Sequence, residues 1–177
     1  GRLHYFTKLA LRSELTEQAS MLLEKILEKD RNDLLAMREL GIIEFEKRDY
    51  SDARQFLRAY LDLKELDFDK VDKVEDRDII ALFDYGEILL HEHQALEAND
   101  YFLRAESLLA EMQERPLHLS LLYAQVTYKL GRIDEAVSLL QELLDQHPHN
   151  EWVLLSLAHI FMDQGDYNDA GLLFENI

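Results

Sequence analysis

Apolar residues along the 177-residue chain recur three and four positions apart, the spacing of a helix face. Met21, Leu22, Leu23, Ile26 and Leu27 form such a face in a helix predicted over Thr16–Lys29, behind another over Leu3–Ser13. The pattern then predicts helices over Leu34–Lys47 and Ser51–Leu66, Ile79–His91 and Leu96–Arg115, and Leu117–Leu130 and Asp134–Gln146. A last pair runs over Glu151–Gln164 and from Asn168 onward. Ser51, Asp134 and Asn168 suit N-cap positions, Asn150 caps 151–164, and Pro116 stops the helix before it. Between Asp67 and Asp78, nine of twelve residues are charged, yet Phe68, Val71 and Val74 keep a spacing of three. That stretch reads as a helix extension followed by a loop.

A repeat lies beneath these helices. Leu130-Gly131-Arg132-Ile133-Asp134-Glu135-Ala136 is echoed by Gln164-Gly165-Asp166-Tyr167-Asn168-Asp169-Ala170 and by Lys47-Arg48-Asp49-Tyr50-Ser51-Asp52-Ala53. The small residues Ala19, Ala53, Ala98, Ala136 and Ala170 mark its period, at intervals of 34, 45, 38 and 34 residues. Twelve positions before them stand Thr7, Gly41, Gly86, Ala124 and Ala158, each preceded by a large residue: Phe6, Leu40, Tyr85, Tyr123 and Leu157. Four positions after them come Leu23, Leu57, Phe102, Leu140 and Phe174. Two antiparallel helices approach closely only where side chains are small, and large apolar neighbours then fill the grooves.

These residues resemble the tetratricopeptide repeat, a two-helix unit of 34 residues. The resemblance covers nearly the whole chain. It implies an all-α, right-handed solenoid of about five helix pairs, the last incomplete. The repeats are expected over roughly 1–33, 34–67, 79–114, 117–150 and 151–177, as a single domain with a charged insertion at 67–78. The sequence also departs from the family. Glu14, Arg48 and His93 replace the turn glycine seen at Gly131 and Gly165, so those turns are expected to leave the first helix differently. Glu44 and Thr127 stand where an apolar residue is usual, opposite Leu89 and Phe161.

Composition narrows the function classes. There is no cysteine, which excludes thiolate metal sites and cysteine nucleophiles and does not choose between cytosol and periplasm. No apolar run is long enough for a membrane span, so direct membrane insertion is not expected. The chain reads as soluble, with cytoplasm preferred to periplasm. The formal charge of −17 is uneven: beyond residue 78 only Arg104, Arg115, Lys129 and Arg132 offset 17 acids. Such a surface repels phosphate, which argues against nucleic acid. Its simplest role is to keep the protein dispersed, and its second is to steer a basic partner. The start at Gly1 and an end rich in Leu172, Leu173, Phe174 and Ile177 lead us to expect a longer natural protein.

Catalytic and metal signatures are missing. No phosphate-binding glycine loop, nucleophile elbow or dinucleotide fingerprint occurs. His91 and His93 are two apart and point to different helix faces, while His147 and His149 flank Pro148 in a turn. We therefore expect no cofactor, no metal and no catalytic centre in this chain.

The resemblance implies that function lies on the concave face, lined by the first helix of each repeat. Its positions correspond here to His4, Lys8 and Leu11; Arg38, Ile42 and Phe45; Phe83, Glu87 and Leu90; Leu121, Gln125 and Tyr128; and Leu155, His159 and Met162, with Trp152 at the edge. Of these, Arg38, Phe45, Phe83, Glu87, Leu121, Gln125, Tyr128, Trp152, Leu155 and His159 are the candidate partner-binding residues. Family members that clamp a peptide's terminal carboxylate carry Lys and Asn at the first two places of a set. Only Lys8 partly matches, and Glu87 stands mid-groove, so no such clamp is expected. The expected function is binding a peptide or helix of another protein, with basic residues near the rim. The alternative is a structural scaffold in a secretion or export machine, self-associating through its C-terminal end.

Overall fold

The computed structural model describes the backbone of residues 2–64 and 74–175, and the side chains of 15–64 and 74–175. Every regular element among these residues is an α-helix. Contacts cluster into two compact units, residues 1–94 and 95–177.

The first unit contains α1 (Arg2–Lys29), α2 (Leu34–Glu46), α3 (Tyr50–Lys64) and α4 (Asp76–His91). Here α2 packs against α1, α3 and α4, and α3 against α4. Leu40, Ile42, Leu57, Leu82, Ile88 and Leu89 are all almost fully buried. Two antiparallel helices can meet this closely because Gly41 opposes Leu57. A Cβ built on Gly41 would sit 2.6 Å from the Leu57 side chain. The predicted break between Ser13 and Thr16 is not there: α1 runs through it without interruption. No glycine or proline occurs there to end a helix, and Glu14 continues one readily. Because α1 does not fold back on itself, its predicted apolar face is only partly used. Leu23 and Leu27 are half-buried, whereas Met21, Leu22 and Ile26 are exposed.

The second unit contains α5 (Ala95–Glu111), α6 (Leu117–Lys129), α7 (Ile133–Gln146), α8 (Glu151–Gln164) and α9 (Tyr167–Phe174). Successive helices pack on one another, and α6 also reaches α8. Ala124, Ala136, Leu140, Val153, Leu157 and Ile160 make its core, so the small alanines of the repeat are the packing positions they were read to be. Helix α5 stops four residues short of the predicted end, where the Arg115 guanidinium turns back to donate to the Leu109 carbonyl at 2.8 Å.

Turn geometry corrects two expectations. Arg48 and His93 do not leave the helix differently from the glycines. All four residues take left-handed backbone, with φ of 65° and 63° against 81° and 84° for Gly131 and Gly165. After each, an amide donates to the carbonyl five residues back: Asp49 to Glu44 at 2.9 Å, Gln94 to Leu89 at 2.8 Å, Arg132 to Thr127 at 3.2 Å and Asp166 to Phe161 at 2.8 Å. Such a turn leaves one residue before the next helix. Ser51, Asp134 and Asn168 therefore lie inside the first turn of α3, α7 and α9 rather than at the cap. Asn150 does cap α8, its side chain accepting from the Trp152 and Val153 amides.

The charged insertion falls largely on residues 65–73, outside the described residues. Beyond it α4 starts at Asp76, three residues before the predicted Ile79, because Glu75 and Asp78 form a capping box there.

Candidate functional site

In the first unit, the candidate residues divide by burial. Arg38 is 7% exposed and cannot line an open face. Its guanidinium donates to Asp78 and to Glu75 Oε2 at 2.7 Å, and through Nε to Glu39 Oε1 at 3.0 Å. Asp78 is fully buried and also accepts from the Tyr60 hydroxyl at 2.6 Å and the Glu75 amide at 3.0 Å. Burial alone would raise its carboxyl, but these donors hold it below the usual carboxylate range. The cluster joins α2, α3 and α4 across the insertion, so Arg38 is a packing residue. The polar substitutions in the repeat pattern are satisfied too. Glu44 accepts from the Lys47 ammonium at 2.8 Å, and the Thr127 hydroxyl donates to the Tyr123 carbonyl at 2.8 Å.

Ile42 is also buried. Phe45, Phe83, Glu87 and Leu90 are half-exposed on α2 and α4, which pack side by side. Asp84 and Glu46 join them, and neither was singled out from the sequence. Asp84 is 6% exposed. Burial first, then the charges of Glu46 and Glu87, push its carboxyl well above the usual range. The signal was a lone aspartate between Phe83 and Tyr85 in an otherwise apolar stretch.

In the second unit, the predicted positions come together. On α8, Trp152, Leu155, His159 and Met162 share one face at helical spacing. Trp152 is 66% exposed, Leu155 37% and Met162 41%, an apolar stripe left open to solvent. Helix α6, which reaches α8, adds exposed Gln125 and half-buried Tyr128. The Tyr128 hydroxyl donates to Asp163 Oδ2 at 2.6 Å, tying the two helices together at one end of this face. Partial burial and the Asp163 charge push the Tyr128 phenol up to about 12. Leu121, by contrast, packs against the core, its outer surface half-covered. His4, Lys8 and Leu11 lie outside the residues whose side chains are described.

No group of three histidine or carboxylate side chains among the described residues is placed to hold a metal ion. No helix among them is long and apolar enough to cross a membrane.

Two family profiles, both described as tetratricopeptide repeat, match residues 8–67 and 128–177. The chain belongs to the tetratricopeptide-repeat family. Solved structures agree on the fold, an all-α solenoid of tetratricopeptide type. A putative kinesin light chain with nearly identical repeats, from Podosopora anserina, superposes with a TM-score of 0.61 at 18% identity, covering 98% of this chain and 92% of that one. YrrB, a tetratricopeptide-repeat protein with an unusual peptide-binding site, gives 0.53 at 19% identity, covering 97% and 81%. Among curated proteins, cellulose synthase 2 operon protein C of Komagataeibacter xylinus is 33% identical over 99 residues, 56% of this chain. The matched stretch is only 7% of that relative's length. As a tetratricopeptide-repeat protein, the chain is a protein–protein interaction module.

Proposed function

We propose that the second unit binds an apolar peptide or helix of a partner protein on the face shared by α6 and α8. The observation that carries this is the exposed stripe of Trp152, Leu155 and Met162 beside Tyr128. Large apolar side chains at consecutive turns of one helix are what an amphipathic segment docks against. Aromatic anchors of this kind supply most of an interface's energy, and the surrounding acids act mainly on association rate. The reading is of a binding module, with no reaction assigned to it.

The test is a peptide selected from a displayed random library against the intact chain. Met162→Asp and Tyr128→Ala should weaken its binding at least tenfold, whereas Glu106→Ala, on α5, should leave it unchanged. Equal binding by all three variants would remove the α6–α8 face from consideration.

A second reading has its own support. It is a structural scaffold in an export machine, proposed because 56% of this chain is similar to a protein named for a cellulose synthase operon. Concentration-dependent self-association of the intact chain in light scattering would favour it over capture of a separate partner.

A further inference from the structure

One helix of the first unit carries a row of hydrogen-bond donors outside the core. On α3, Ser51, Arg54, Gln55 and Arg58 are spaced three and four positions apart and so share a face. With Tyr50 and Glu92 they line a cleft of about 450 Å³. That volume falls within the roughly 300–1,000 Å³ of clefts that hold ligands. Helix α3 is the second of its repeat, so this cleft is apart from the first-helix positions that the family pattern marks for partners. Tyr50 forms one wall and is fixed there, stacked on His91 with ring centres 4.8 Å apart and packed beside Phe45 at 5.6 Å.

The two arginines are lightly held. Arg54 pairs with Glu92 through Nη1 at 3.3 Å, and both side chains are 36% exposed. Its Nε is shielded from water and donates to no group among the described residues. A donor left unmade in this way costs the fold, and a ligand that draws the guanidinium round to accept from it recovers that cost. Arg58 pairs with Asp62 at 3.8 Å across two largely exposed side chains, a contact worth little. The lining thus carries two cations against one acid, in a chain whose formal charge is −17.

We propose that this cleft takes a glutamate side chain from an acidic segment of a partner protein. This rests on the interaction-module reading and names the partner chemistry for the first unit. Arginine presents paired donors to a carboxylate, and Arg54 and Arg58, one turn apart, can hold its two oxygens together. Ser51 and Gln55 add neutral donors on the same face. The Tyr50 ring gives the glutamate methylenes an apolar wall. Phosphate is the poorer occupant, because Glu92 in the lining repels a second negative charge.

The test is NMR of the intact chain with nitrogen-15-labelled arginine, read at the Nε–H signals. The probes are N-acetyl-glutamate amide, its uncharged counterpart N-acetyl-glutamine amide, and inorganic phosphate. The glutamate probe should shift Arg54 and Arg58 saturably, and the glutamine probe should shift neither. Arg58→Gln, at an exposed position, should weaken the Arg54 response about tenfold, the worth of one hydrogen bond to a charged group, with the circular dichroism spectrum unchanged. Any of four results overturns the proposal: no shift, equal shifts from both amides, equal shifts at Arg104 and Arg132, or tighter binding of phosphate than of the glutamate probe. Shifts at Arg54 and Arg58 on raising the chain's own concentration would give the cleft to a second copy and overturn it as well. A Met162→Asp variant should keep the full response. Loss of peptide binding in that variant therefore speaks only to the α6–α8 face, and loss of the Arg54 response speaks only to the cleft on α3.

Discussion

The Tyr60 hydroxyl donates to Asp78 Oδ1 at 2.6 Å, bridging α3 and α4 across the longest interval between repeats. Asp78 is wholly buried and shared with Arg38, so each donor offsets part of the penalty of holding a carboxylate out of water. Tyr60→Phe should destabilise the first unit by about 1.5–3 kcal/mol, the usual worth of a hydrogen bond to a charged group. Arg38→Met should cost more, about 3–5 kcal/mol, because it removes the cation hydrogen-bonded to Asp78 and leaves only the Lys64 ammonium, 3.8 Å away. Urea unfolding followed by circular dichroism measures both. If Arg38→Met is the milder change, the cluster does not hold the unit as described.

Asp78 and Asp84 should give opposite pH signatures. The folded-state carboxyl of Asp78 is lowered, so its stabilisation is present above the ordinary carboxylate range and is lost as pH falls through the lowered value. That of Asp84 is raised, so its ionisation destabilises the fold as pH rises through the raised value. Asp84→Asn should thus gain most relative to wild type at neutral pH, and Asp78→Asn should lose most there. The Asp84 difference should shrink on acidification towards the ordinary carboxylate range, whereas the Asp78 difference should persist there and shrink only as pH falls further, through its lowered value. Thermal melts at several pH values check the signs.

Arg48 holds a left-handed φ of 65° with a side chain that disfavours it. Arg48→Gly should raise stability by about 1 kcal/mol, since glycine adopts that backbone without the Cβ clash. Gly131→Ala, at φ 81°, should lower it by a similar amount. Equal and opposite shifts in urea midpoint are the expected pair.

The helix pairs were legible because their packing residues are small and periodic. Gly41 against Leu57, and the buried Ala136, are where a larger side chain has no room. Ala136→Leu should overpack the second unit's core, where α7 meets α6, by about 1–3 kcal/mol, read as a lower unfolding midpoint. The exposed stripe of α8 was legible for the same reason, as three positions fixed by the repeat. Arg38 was misjudged because repeat position says nothing of Asp78, forty residues away, which draws its guanidinium inward. Asp84 was missed because its neighbours in sequence, Phe83 and Tyr85, mark a core segment. Only the packing of α2 on α4 sets Glu46 against it. The break expected in α1 rested on repeat spacing alone, without the glycine or proline that ends a helix.

Trp152 is the chain's single tryptophan and is 66% exposed on the face proposed to hold a partner, so its fluorescence reports on that face alone. When a library-selected peptide binds the intact chain, Trp152 emission should move to shorter wavelength as water leaves the ring. Leu155→Asp, one turn away, should weaken that peptide at least tenfold, about 1.4 kcal/mol. Saturable binding with unchanged Trp152 emission and undiminished affinity in Leu155→Asp would contradict a partner site on α8.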